Sequence, residues 1–80
     1  MGGPIELNGV VVYAYVVQDD AGTRVRVSLD DWERLGLAPG ARVRVGASGR
    51  EPEGLLLTAA DQQPPVVWLH LKRLTARRAG

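Results

Sequence analysis

Two segments of this chain, Arg24-Val25-Arg26-Val27 and Arg42-Val43-Arg44-Val45, alternate arginine with valine. Alternation at period two is the signature of a β-strand, in which successive side chains leave on opposite faces. Valine is β-branched and suits a pleated, half-buried surface. Both segments therefore predict strands with valines turned to a core and arginines turned out of it. A chain with two such strands so close together must return the second to the same sheet or barrel as the first.

The segment between them carries helix start and stop signals. Ser28 is a good N-cap, and Asp31 follows three residues later, close to a capping box. Asp30, Asp31 and Glu33 set negative charge at the positive end of the helix dipole. Leu29, Trp32 and Leu35 recur on roughly one face, and Gly36 is a residue that can end a helix in the left-handed conformation. Pro39-Gly40 then reads as a turn. A helix of about two turns has no stability of its own. Trp32, Leu35 and Leu37 are therefore expected to cover the open side of a barrel, with Trp32 largely buried.

The whole run from Val25 to Val43 resembles the signature of the AbrB/SpoVT swapped-hairpin barrels, and equally one half of a double-psi, cradle-loop β-barrel. The residues that carry the likeness are Val25-Arg26-Val27-Ser28, the acidic helix start, Leu35-Gly36-Leu37, Pro39-Gly40 and the strand at Arg42-Val43. It extends loosely over residues 13–60. The resemblance implies a dimeric, transcription-regulator-like protein that binds nucleic acid.

The rest of the chain fits one small domain. Residues 1–74 are expected to form it, and residues 75–80, with Arg77 and Arg78, a flexible basic tail. Ile5 to Val17 contains the continuous apolar run Val10 to Val17, which predicts a strand buried on both faces or one long bent strand. Asn8-Gly9 is a turn or bulge ahead of it. Gln18 to Thr23 reads as a hairpin loop, and Gly46 to Gly54 as a second loop. Leu55 to Ala59 predicts a fourth strand, Ala60 to Pro65 a loop, and Val66 to Leu74 a fifth strand. The expected fold is thus a mostly β, five-stranded barrel with one short α-helix between strands 2 and 3. A β-grasp α+β sheet is the alternative, although so short a helix would not cross its sheet.

An 80-residue chain has a small core, and with no cysteine it has no disulfide or thiolate metal site. Association into a homo-oligomer is the expected route to stability. The start shows no basic region leading into an apolar run, and the apolar run is too short for a membrane span, so a cytoplasmic protein is expected.

No catalytic constellation can be assembled, and no cofactor is expected. The single histidine, His70, has no nucleophile or carboxylate at a recognisable spacing. Asp20-Ala21-Gly22-Thr23 has alanine where an aspartic-protease loop would carry a hydroxyl, and reads as a turn. The net charge is only +1, but its distribution is uneven. Arg24, Arg26, Arg42 and Arg44 are expected to share one outer face, extended by Lys72 and Arg73. Such a face would neutralise the phosphates of a nucleic acid. The same pattern also describes an ordinary solvated exterior, with arginine stems lying over apolar surface. Trp68 and His70 fall on one face of the last strand beside Lys72, where a tryptophan could stack on a base or grip a peptide. Two functions follow: a non-enzymatic nucleic-acid-binding module, or a protein-interaction adaptor.

Overall fold

The chain first turns back on itself at Asn8-Gly9, where both residues take positive φ, 53° and 84°. A two-residue type I′ hairpin requires that pair of conformations, and Asn-Gly adopts it most readily. The turn, expected there as a turn or bulge, leads into β2 (Val10–Asp19) and follows a strand the sequence reading did not include, β1 (Gly2–Leu7). The computed structural model, which describes residues 2–20, 22–47 and 51–73, continues with β3 (Gly22–Ser28), α1 (Leu29–Leu35), β4 (Arg42–Ala47), β5 (Glu53–Gln63) and β6 (Val66–Arg73). There are therefore six strands rather than five, and the helix follows the third strand. The expected tail at residues 75–80 lies outside the described residues.

The strands close into a barrel in the order β1-β2-β3-β6-β5-β4, with β4 returning to β1. Every pairing is antiparallel, which excludes the β-grasp alternative. The segment expected as a loop at Ala60 to Pro65 is mostly strand. β5 runs on to Gln63, paired with Val66 on β6, after a register shift between Leu57 and Ala59. Asp61, Gln62 and Gln63 carry no apolar alternation, so this end is held by its backbone pairing rather than by a buried face. The turn is left to Pro64-Pro65, which are joined by a cis peptide bond.

The inward residues make a single core. Val25, Val27 and Val43 are buried as their alternation predicts, together with Ile5, Leu7, Val12, Ala14, Leu55, Leu57, Val67, Leu69 and Leu71. No polar or charged residue is buried among the described residues. The apolar run of β2 is not buried on both faces. Val12 and Ala14 point in, whereas Val11, Tyr13 and Tyr15 point out and are 56 %, 72 % and 41 % exposed. This chain's own barrel covers the inward half of that run and leaves the outward half uncovered.

Helix α1 lies across one end of the barrel. Leu29, Trp32, Leu35 and Leu37 pack against the core from that end. Trp32 is half-buried rather than largely buried, because a two-turn helix over a barrel mouth has water on its far side. The ends of α1 behave as expected. The Asp31 backbone N–H donates to Ser28 Oγ at 3.1 Å, and Gly36 closes the helix at φ 65°. Two further bonds fix its position: Leu29 N–H donates to Pro65 O at 3.0 Å, and Arg34 Nη2 donates to Val11 O at 3.5 Å while also pairing with Asp31 Oδ1 within the helix. Replacing Ser28 with alanine removes the acceptor for the Asp31 N–H. It is expected to lower stability by about 1 kcal/mol, readable as a shifted urea midpoint at unchanged slope. No described helix is long and apolar enough to cross a membrane.

Candidate functional site

Register decides which outward side chains meet. Across four neighbouring strands, Tyr15 of β2 pairs with Arg26 of β3, Arg26 with Trp68 of β6, and Trp68 with Asp61 of β5. The next rank runs Val17, Arg24, His70 and Ala59. Tyr13 stands one rank further along β2, opposite Pro4, and Tyr15 stands opposite Gly2. The outward positions of β1 beside the two tyrosines thus carry no long side chain. The Tyr15 ring lies close to Gly2, whose Cα would place a methyl group 3.6 Å from the ring edge.

The arginines of this wall are gripped by rings. The Arg26 guanidinium carbon lies 5.2 Å from the Tyr15 ring centre and 5.8 Å from that of Trp68. Arg24 lies 6.0 Å from the Trp68 centre, and its Nη2 is 3.3 Å from Asp19 Oδ2. A guanidinium within about 6 Å of an aromatic face is attracted by the ring quadrupole, by about 0.5–1 kcal/mol where exposed. Such stacking engages the flat faces of the group and leaves its N–H edge free for acceptors. Among the described residues, no carboxylate or carbonyl accepts from Arg26. It is an exposed cation whose position is set by two rings.

The arginines do not share one face. β3 and β4 are successive strands, but α1 carries the chain across the barrel end, so they do not pair. β3 lies between β2 and β6, and β4 lies between β5 and β1. In a ring of six strands these are opposite walls. Arg24 and Arg26 leave one wall, and Arg42 and Arg44 leave the other. Arg44 lines a shallow depression there with Glu6, Asn8, Gly9, Gly46 and Pro52. Its backbone N–H donates to Asn8 Oδ1 at 2.8 Å. Lys72 lies on β6 two residues beyond His70, on the same strand face as Trp68 and His70, and extends the first wall. Arg73 sits at the barrel rim, where its Nε is 3.1 Å from Glu53 Oε2.

Sequence reasoning read Tyr13 and Tyr15 only as members of an apolar run. The signal that marks them was there: large rings at alternate positions flank the small Ala14, the pattern of a strand with its bulk turned outward. Among the described residues no cluster of histidine and carboxylate side chains could hold a metal ion. The wall offers rings, guanidinium donors and an ammonium group, a set suited to recognising anions and flat ligands. In comparisons with known proteins, the chain matches no family model, no curated protein and no solved structure.

Proposed function

We propose that this chain is a non-enzymatic nucleic-acid-binding module that engages its ligand on the wall formed by β2, β3 and β6. The observation that carries this reading is Arg26, held between Tyr15 and Trp68 with no acceptor among the described residues. A phosphate needs planar N–H donors, and a base needs a ring to stack on. The wall provides both within two strand spacings. Arg24 and Lys72 add charge beside them. The resemblance of Val25 to Val43 to the AbrB/SpoVT barrels supports the same class of function, and with it a dimeric, cytoplasmic regulator-like protein. In this reading Arg42, Arg44 and Arg73 are not part of the interface, because they stand on the far wall and the rim.

Fluorescence anisotropy with labelled nucleic acids, single-stranded and duplex, over a salt series tests it. The double variant Arg24→Ala/Arg26→Ala should weaken binding across all sequences. Its salt slope should fall by roughly 0.7–0.9 for each phosphate that is no longer neutralised. The double variant Arg42→Ala/Arg44→Ala should bind as the unmodified protein does. Absence of binding to any nucleic acid at low salt overturns the proposal. The exposed Val11, Tyr13 and Tyr15 then favour the second reading, an adaptor that docks an apolar protein surface on the same wall.

A further inference from the structure

Resting on that reading, we infer that the wall takes single-stranded nucleic acid in an extended form, and not duplex. The rings set this. Tyr13 and Tyr15 are alternate residues of one strand, so they recur about 6.6 Å apart along it. Successive nucleotides of a duplex strand rise only about 3.4 Å. A strand that lays neighbouring bases on both tyrosines must be pulled out to roughly twice its stacked rise. A duplex can do neither part of this, because its base faces are covered by their neighbours and only their edges reach the grooves.

The exposure of the rings agrees. Tyr13 is 72 % exposed and Tyr15 is 41 % exposed on the outside of a closed barrel, with only Pro4 and Gly2 beside them on β1. Trp68, two strands away, adds a third ring; it is half-buried, with Arg24 and Arg26 over it. Bases on Tyr13 and Tyr15 bring the linking phosphates over β3, where Arg26 and Arg24 present their donors. Asp61, which ends the rank on β5 and accepts from Gln63 Nε2 at 2.7 Å, places a negative charge beyond Trp68. It repels phosphates and keeps the nucleic-acid strand on the β2–β3–β6 side.

The test compares a 15-nucleotide oligo(dT), a 15-nucleotide oligo(U) and a 15-base-pair duplex, each labelled, on the full chain at one low salt concentration. The single strands should bind at least about 10-fold more tightly than the duplex. Tyr15→Ala and Trp68→Ala should each weaken single-strand binding by roughly 5- to 150-fold, the range for removal of one stacked base. Neither should change the residual duplex binding. Tyr15→Phe and Trp68→Phe should keep most of the affinity, because they keep a ring to stack on. They also separate a missing ring from a damaged barrel, which circular dichroism reads directly. Duplex binding equal to or tighter than single-strand binding overturns this inference and leaves the nucleic-acid reading standing. So does single-strand affinity that survives removal of both rings in a folded protein. Failure of all three probes to bind overturns both.

Discussion

Leu69→Ala is expected to lower the unfolding free energy by about 3–5 kcal/mol, the upper part of the range for truncating a buried leucine. Leu69 is 0 % exposed and lies in mid-β6, paired with Val25 on one side and Ala60 on the other. The interior collapses poorly around a truncated side chain here, because β6 is paired along its length with β3 on one side and β5 on the other. The core is the only one the described residues form, and a domain of this size has little stability in reserve. Urea denaturation followed by circular dichroism should show the variant largely unfolded, or with its midpoint moved far down at unchanged slope. A midpoint within the error of the unmodified protein would mean that Leu69 does not sit where the barrel places it.

Gly22→Ala is the second large effect, expected at about 2–4 kcal/mol from backbone strain and collision together. Gly22 opens β3 with φ at 131°, a conformation that side chains rarely adopt. An added Cβ would stand 2.7 Å from the carbonyl oxygen of Leu71. That oxygen belongs to the backbone of β6 and cannot swing aside as a side chain would. Gly9 makes the comparison informative. It also has positive φ, 84°, but nothing lies within 4 Å of its added Cβ. Gly9→Ala should therefore cost only about 1–2 kcal/mol, the conformational part alone. Equal melting curves for the two variants would show that the approach to Leu71 is looser than the structure has it.

The parts of this fold that were legible in the sequence are those specified locally. Ser28, Asp31 and Gly36 name the ends of α1 because capping is settled within a few residues. The inward turn of Val25, Val27 and Val43 follows from period two alone. Asn8-Gly9 carried a local signal as well, but the strand before it is short. Its outward positions, Gly2, Pro4 and Glu6, have little strand character, and this hid β1. What no local pattern could supply is adjacency. Arg24 and Arg42 read alike, yet they face opposite ways because each strand takes its neighbours from distant parts of the chain. Arg26 finds Trp68, some forty residues on, through the β3–β6 pairing. The candidate site is made by that pairing, so the sequence showed its pieces and not their meeting.

Closure of the sheet limits how this protein can meet anything else. A sheet with a free edge offers a row of unpaired N–H and C=O groups on which another chain can add a strand, in recognition or in aggregation. Here each described strand has a neighbour on both sides for part of its length, so open backbone is left only where a pairing stops short, as on the β4 side of β5 beyond Leu57. The shortest seam of the ring is β1 with β4, where Ile5, Glu6 and Leu7 lie against Ala47, Gly46 and Val45. Asn8 reinforces one end of it by bonding Arg44 through both backbone and side chain. Parting that seam would expose two strand edges at once and turn a self-contained cylinder into a curved, adhesive sheet. Asn8 thus has two duties: it shapes the first hairpin, and it fastens the seam at which the cylinder closes.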